Sequence, residues 1–114
     1  MESLRVTSSG ARRFRLEGEL CLGTVEILRD AIQPEAVEGD LTLELDELTF
    51  LDSSGLRELL EVLKRLQVTG STLILHRPQG IVRKVLSLTK VDSRPDVRVT
   101  AESESPQTND LPVA

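Results

Sequence analysis

Four consecutive residues, Asp52, Ser53, Ser54 and Gly55, stand between a segment that alternates leucine with polar residues and a segment that carries leucine at helical spacing. The aspartate and the two serines place short oxygen-bearing side chains at the predicted start of a helix. The first N–H groups of a helix lack intrahelical partners and the helix dipole is positive at that end, so hydrogen-bond acceptors and negative charge are favoured there. Taken alone, this segment is best interpreted as an ordinary helix cap.

The other reactive residue types are too few for a catalytic or metal site. Cys21 and His76 are the single cysteine and the single histidine of the chain, which is too small a set for a usual zinc site. The sequence has no glycine-rich phosphate loop with a lysine, and no recognisable nucleophile elbow or acid pair. We therefore expect no enzyme activity, no catalytic residue, no metal and no cofactor. Cys21 is expected to be a small buried or half-buried side chain, and His76 a surface or packing residue.

The length, composition and charge of the chain indicate which broad classes of protein are expected and which are not. The 114 residues make one domain, with 39% hydrophobic and 29% charged residues. No apolar run approaches the roughly 20 residues that cross a membrane, and residues 1–15 lack the apolar stretch of a signal peptide. With one cysteine, these features predict a cytoplasmic protein without membrane insertion. The net charge of -5 and the presence of only two aromatic residues argue against direct nucleic acid binding.

Three segments are predicted to be the first strands of a sheet. Residues 4–7 and 12–16 have the character of short strands, and Ser8-Ser9-Gly10 between them favours a tight turn, so the chain is expected to begin with a β-hairpin. Residues 41–46 alternate cleanly between leucine and polar side chains. A parallel strand covered on both faces would be apolar throughout, so this alternation indicates helices on one face of the sheet and a wetter opposite face.

Three segments carry apolar residues at helical spacing. Residues 24–32 predict a helix with Thr24 as its N-cap and Pro34 as its stop. The strongest helix begins at the four-residue segment described above and ends near Gly70, which lies a few residues late for a strict C-cap. Its apolar stripe consists of Leu56, Leu59, Leu60, Leu63 and Leu66. The charged residues Arg57, Glu58, Glu61, Lys64 and Arg65 occupy the remaining positions. Residues 81–88 predict a short third helix.

Two further short strands, residues 72–75 and 97–99, complete an order in which strands alternate with helices after the hairpin. This order predicts an α/β domain over residues 1–99, with a mixed, mostly parallel β-sheet and helices packed mainly on one face. Residues 100–114 have acidic groups but no apolar periodicity, so we expect a disordered acidic C-terminal tail.

The segment LTLELDELTFLDSSGL at residues 41–56 resembles the signature of STAS domains, especially the bacterial anti-sigma factor antagonists. The segment LEGEL at residues 16–20 is similar to the Gly-Glu-Leu turn before the family's first helix. Arg77-Pro78 and residues 81–88 match its third crossover. The resemblance covers roughly residues 4–99 and implies the STAS fold, a sheet rich in βαβ units with helices on one side. The family commonly ends with a C-terminal helix, for which the tail has no pattern.

In the antagonists, the serine directly after the aspartate of the motif is phosphorylated by an anti-sigma factor that is also an ATP-dependent serine kinase. The resemblance thus implies that Ser53 is phosphorylated, with Ser54 as the second choice. The unphosphorylated protein binds the anti-sigma factor and frees the sigma factor, and a phosphatase resets the switch. The implied function is a phosphorylation-gated binding module. The implied partner-binding residues are Asp52, Ser53, Ser54, Gly55, Leu56, Arg57, Glu19, Cys21 and Thr24.

Other functions stay open at this point. A STAS subunit of a transport or lipid-trafficking complex would use the same helix face to dock an ATPase or a transporter permanently. A small-nucleotide sensor would hold a nucleotide in a cavity above the motif, although the sequence lacks a phosphate cradle. Ser53 could also be a plain helix-capping residue instead of a phosphate acceptor. Of the two serines, however, Ser54 is the one expected to cap the helix.

Overall fold

The predicted order of elements is confirmed in the computed structural model, which describes residues 3–32 and 39–100. The elements in these ranges are β1 Leu4–Gly10, β2 Arg13–Leu20, α1 Val25–Ile32, β3 Leu41–Leu51, α2 Ser53–Val68, β4 Leu73–His76, α3 Gly80–Leu88, a short 3-10 helix Val91–Ser93, and β5 Val97–Thr100. Every helix within these ranges is too short or too polar to span a membrane. The predicted helix stop at Pro34 and the predicted tail beyond residue 100 lie outside the described residues.

The five strands form one mixed sheet in the order β1-β2-β3-β4-β5. The hairpin strands β1 and β2 are antiparallel, whereas β2, β3, β4 and β5 run parallel to their neighbours. Parallel neighbours cannot be joined by a tight turn, and α1, α2 and α3 supply the three crossovers. The prediction of a mixed, mostly parallel sheet that begins with a hairpin is therefore confirmed.

The two faces of the sheet have opposite character because the strands pair in register. One row across the sheet is apolar and consists of Phe14, Leu43, Leu75 and Val99. The next row, on the opposite face, is polar and consists of Arg15, Glu44, His76 and Thr100. The buried apolar side chains of α1, α2 and α3 belong to the same core cluster as the apolar row, so these helices cover that face.

Charged side chains on the other face of the sheet neutralise one another. Glu44 is buried there, and its carboxylate pairs with the Nε atom of Arg13 at 2.5 Å and with Arg15 at 3.5 Å. Arg15 also lies 3.8 Å from the carboxylate of Asp46. A carboxylate that loses water needs such compensation, and the two arginines next to Glu44 on β2 provide it.

β3 is longer than predicted, since it extends from Leu41 to Leu51 rather than ending at Asp46. Its pairing with β2 shifts register twice, and each shift gives β3 one extra residue. A bulge resets the alternation of side chains between the two faces. Leu45, Leu48 and Leu51 are consequently all buried although they are spaced by three residues rather than two. With these bulges β3 continues to Leu51, so the strand ends directly before residues 52–55.

The hairpin turn was predicted at residues 8–10 and lies at residues 11–12. Ser8 to Gly10 belong to β1, and the chain turns at Ala11 and Arg12, where Arg12 adopts a positive φ of 55°. The guanidinium of Arg12 donates to the backbone oxygens of Gly39 at 2.7 Å and Asp40 at 3.1 Å. These long-range bonds hold a conformation that the local sequence would not favour.

One charged residue of α2 that the sequence placed among the polar positions is buried. Glu58 is only 4% exposed, and its Oε1 atom accepts a hydrogen bond from Arg29 of α1 at 2.9 Å. The hydrogen bond and the negative charge of Glu58 raise the pKa of the Arg29 guanidinium. The other carboxylate oxygen, Oε2, has no hydrogen-bond partner among the described residues. The charge of Glu58 therefore depends on Arg29 for its compensation.

The C-terminal end of α2 is closed by Gly70, and the suggestion that Gly70 comes too late for a strict cap is wrong. The helix runs to Val68, so Gly70 is the second residue after it and has a φ of 70°. The N–H of Gly70 donates a hydrogen bond to the backbone oxygen of Gln67 at 3.1 Å, and the N–H of Ser71 donates one to the backbone oxygen of Leu66 at 3.0 Å. These two bonds make a Schellman motif, which requires a left-handed residue at this position.

Candidate functional site

Asp52 is the capping residue of α2. Its backbone is extended, with φ of -107° and ψ of -174°, and its side-chain Oδ1 accepts a hydrogen bond from the N–H of Gly55 at 2.9 Å. Its backbone oxygen accepts from the N–H of Leu56 at 2.9 Å, which starts the helix. The predicted cap is thus present, but it is Asp52 that provides it. The assignment of the capping role to Ser54 is wrong, because the aspartate already satisfies the N–H that a cap would take.

The second oxygen of Asp52 connects two segments. Oδ2 accepts from the backbone N–H of Leu22 at 3.3 Å, and the N–H of Asp52 bonds the oxygen of Leu20 at the same distance. The turn after β2 is therefore tied to the start of α2. Since both carboxylate oxygens are engaged by backbone N–H groups, the geometry makes Asp52 a structural anchor rather than a general base.

Gly55 allows α2 to begin directly against the ends of β2 and β3. A Cβ atom at this position would lie 2.4 Å from the backbone oxygen of Leu20, 2.9 Å from the Cγ of Leu20 and 2.8 Å from the Cδ1 of Leu51. Such distances are too short for real carbon contacts, so any larger residue would push the helix outward. Gly55 is buried and contributes packing to the site rather than contact surface.

The two serines differ in accessibility. Ser53 is the first residue of α2 and is exposed, whereas Ser54 is half-buried. Neither hydroxyl has a hydrogen-bond partner within the described part of the chain. No hydrogen bond among the described residues therefore depends on the hydroxyl of Ser53, which lies at the positive N-terminal end of the 16-residue helix α2.

The turn between β2 and α1 is closed by Thr24. Its hydroxyl donates to the backbone oxygen of Glu19 at 2.7 Å and accepts from the N–H of Cys21 at 3.0 Å. Thr24 directly precedes α1, as predicted, but its hydroxyl bonds the preceding turn. Cys21 and Thr24 are 2% and 3% exposed, so their side chains shape the turn and are not accessible from outside. The burial expected for Cys21 is confirmed, while Glu19 is half-buried.

His76 is the last residue of β4 and is buried. Its Nδ1 atom lies 2.6 Å from the hydroxyl of Thr100 on the neighbouring strand. This agrees with the packing role expected of it. In the ranges 3–32 and 39–100, no group of His, Cys, Asp and Glu side chains could hold a metal ion.

Exposed apolar side chains flank the segment of residues 52–55, and their exposure was not predicted from the sequence. Leu22 lies in the turn tied to Asp52 and is 74% exposed, and Phe50, near the end of β3, is 42% exposed. The bulges of β3 explain Phe50, because the side chain next to buried Leu51 must point away from the core. The exposure of Leu22 could have been predicted from its place next to Gly23, in a turn whose other residues are small or polar.

Of the residues that the sequence assigned to partner binding, the structure brings one group to the surface around the start of α2. This group consists of Asp52, Ser53, Ser54, Leu56, Arg57 and Glu19, which are exposed or half-buried, whereas Gly55, Cys21 and Thr24 are buried. Arg57 is exposed and makes no ion pair with any described residue. Among the described residues, this end of the domain presents a hydroxyl and a cation that have no partner, together with exposed apolar side chains.

A family model, the STAS domain, matches residues 5–104. The chain belongs to the STAS domain family. Its fold is shared with solved structures of anti-sigma factor antagonists. The unphosphorylated form of the antagonist SpoIIAA has 23% identity and a TM-score of 0.67, with 90% of this chain and 91% of that chain covered.

Two further solved structures have the same fold. An anti-sigma factor antagonist from Mycobacterium paratuberculosis has 20% identity and a TM-score of 0.66, with 91% of this chain and 89% of that chain covered. The phosphorylated form of the Bacillus cell fate determinant SpoIIAA has 23% identity and a TM-score of 0.62, with 90% and 95% covered. No curated protein matches the sequence significantly.

Proposed function

We propose that this chain is an anti-sigma factor antagonist, a non-enzymatic binding module that is switched by phosphorylation of Ser53. The observation that carries the proposal is the hydroxyl of Ser53, which is exposed at the start of α2 while Asp52 does the capping. A hydroxyl that the fold does not use can be modified without unfolding the domain. The shared fold with SpoIIAA, an antagonist solved in unphosphorylated and phosphorylated forms, supports this function.

The physical effect of the modification is local. A phosphate on Ser53 adds about -1.5 to -2 charges and three acceptor oxygens. The N-terminal end of a helix accommodates negative charge, so the domain keeps its fold. A partner packed against Ser53 would have to desolvate the phosphate and make room for it. A penalty of a few kcal/mol at that surface weakens binding by about a hundredfold or more.

The binding surface that we propose for the anti-sigma factor includes the exposed side chains of Leu22 and Phe50. Both belong to segments joined to the motif, Leu22 through its hydrogen bond to Asp52 and Phe50 through β3. Large apolar side chains that remain exposed next to a switch residue are suited to the dry centre of an interface. We therefore expect the partner to have an apolar surface that packs on Leu22 and Phe50, and a phosphate on Ser53 would disturb this contact.

The kinase activity belongs to the anti-sigma factor in this proposal. The carboxylate nearest to Ser53 in the chain, that of Asp52, has both oxygens bonded to backbone N–H groups. The base for phosphoryl transfer therefore comes from the partner, together with ATP and its metal. A separate phosphatase removes the phosphate. We propose that these events take place in the cytoplasm.

The proposal is tested by incubating the purified chain with its cognate anti-sigma factor and ATP, followed by intact-mass and peptide mass spectrometry. We expect one added phosphate, located on Ser53 and lost in Ser53→Ala. Ser54→Ala and Ser87→Ala, the latter in an exposed position on α3, are expected to leave the phosphate in place. A phosphate on Ser54, or none, would contradict the proposal. Stable copurification with a membrane ATPase or transporter irrespective of Ser53 would favour a transport subunit instead.

A further inference from the structure

We propose that Arg57 is the intramolecular partner of the phosphate on Ser53, and that it positions this phosphate along α2. The inference rests on the proposed phosphorylation of Ser53 and names a regulatory residue for the same site. Both residues belong to α2, where they are the first and the fifth residues, and both are exposed.

Helical geometry places the two side chains on one face. Residues four apart on a helix have Cβ atoms about 5–6 Å from each other, within reach of a long guanidinium side chain. An anion that precedes a cation by four residues has the more favourable of the two orientations. A guanidinium also matches the geometry of phosphate oxygens, to which it can donate two parallel hydrogen bonds.

The charged neighbours of Arg57 leave it without a partner among the described residues. Glu58, the next residue, turns into the α1–α2 contact and pairs with Arg29 at 2.9 Å. Glu61, one turn further along α2, lies 3.9 Å from Lys64. A lone cation close to the positive end of a helix is electrostatically unfavourable. A phosphate on Ser53 would convert this unfavourable position into an attractive one.

Acidic groups near Ser53 work against the phosphate, which increases the importance of Arg57. Asp52 directly precedes Ser53, and Glu19 lies on the strand next to β3. Arg57 is the first cation after Ser53 on α2, and the next, Lys64, is eleven residues from Ser53. Arg57 is therefore the cation on this helix that is placed to balance the added charge.

The consequence for the switch is that phosphorylation changes two features of the surface. It adds a phosphate, and it holds the guanidinium of Arg57 against that phosphate. A partner that approaches the phosphorylated chain meets a compact ion pair where the unmodified chain offers a hydroxyl and a free cation.

The test uses phosphoserine installed at position 53 by peptide ligation or by genetic encoding, so that no kinase is required. The pKa of the phosphate is measured by phosphorus NMR during a pH titration of the wild-type chain and of Arg57→Gln. We expect the pKa to be lower in the wild-type chain by about 0.3 pH units, the size expected for an exposed pair four residues apart. Arg57→Lys is expected to retain part of the difference, because it keeps the charge but loses the paired donors.

The matched control is Arg65→Gln, which removes the same charge from an exposed arginine twelve residues from Ser53 on α2. This variant is expected to leave the phosphate pKa unchanged. Equal pKa values in the wild-type chain and in Arg57→Gln, or an equal effect of Arg65→Gln, would overturn the inference. Failure of the kinase assay alone would overturn the proposed function and leave this result unaffected, so the two outcomes are distinguishable.

Discussion

The Oδ2 atom of Asp52 lies 3.3 Å from the backbone nitrogen of Leu22, while Oδ1 of the same carboxylate accepts from Gly55 at 2.9 Å. One side chain thus joins the start of α2 to the turn after β2. These two segments carry the exposed hydroxyl of Ser53 and the exposed side chain of Leu22. The spacing between the proposed switch and its apolar contact surface depends on this carboxylate.

Replacing Asp52 by alanine is expected to destabilise the domain, because the helix cap and the bond to Leu22 are lost together. Loss of an N-cap costs about 1–2 kcal/mol in the free energy of unfolding. Asp52→Asn keeps one oxygen acceptor for the N–H of Gly55 and should lose less. Urea denaturation of both variants measures the difference. Equal stability of Asp52→Ala and the wild-type chain would contradict the assigned role.

Gly55→Ala is expected to destabilise the domain even though alanine is the better helix former. The added Cβ would lie 2.4 Å from the backbone oxygen of Leu20, so α2 or the end of β2 must shift. Overpacking of this kind costs about 1–3 kcal/mol. The control is Gly10→Ala, whose Cβ would meet Arg13 at an ordinary 3.7 Å. A stabilised Gly55→Ala, measured by urea denaturation, would show that the close approach is absent.

The pair formed by Arg29 and Glu58 is expected to show strong coupling. Arg29→Ala leaves the buried carboxylate of Glu58 without its cation and should lower the melting temperature. In the double variant Arg29→Ala/Glu58→Leu the unpaired charge is gone, so the melting temperature should recover at least in part. Thermal unfolding of the single and double variants provides the cycle. Additive losses would indicate that Glu58 is compensated in some other way.

Partner binding is expected to depend on Leu22 but not on an equally exposed leucine elsewhere. Leu22 and Leu88 are 74% and 72% exposed, and Leu88 ends α3. Burial of a leucine side chain at an interface contributes about 1.5–3 kcal/mol, so Leu22→Ser should weaken binding to the anti-sigma factor about tenfold or more. Leu88→Ser is the matched control and should bind like the wild-type chain. Calorimetric titration measures both affinities, and equal losses would remove Leu22 from the proposed interface.

The order of elements could be predicted because it is encoded locally. The leucine alternation of residues 41–46 and the leucine stripe of α2 each contain their own period, and the four-residue segment between them has the composition of a helix start. The hairpin, the three crossovers and the mixed sheet follow from that order.

What could not be predicted depends on partners far away in the sequence. The bulges of β3 appear only in its register with β2, so the burial of Leu48 and Leu51 and the exposure of Phe50 were missed. From the sequence alone, Glu58 has the character of a surface residue. Its partner Arg29 belongs to α1 and lies 29 positions earlier in the chain, so the pair could not be predicted locally. The capping role was wrongly assigned to Ser54 rather than to Asp52, because several residues with acceptor oxygens are adjacent in the sequence and only the backbone angles determine which of them caps the helix.

Control of binding by Ser53 is measured by the affinity of the cognate anti-sigma factor for the unmodified chain and for the chain phosphorylated at Ser53, determined side by side by calorimetric titration. We expect a dissociation constant about a hundredfold or more higher for the phosphorylated chain. We also expect the same circular dichroism spectrum for both forms, because the helix end accommodates the phosphate. Equal affinities of the two forms, with phosphate confirmed on Ser53, would show that Ser53 is not the switch.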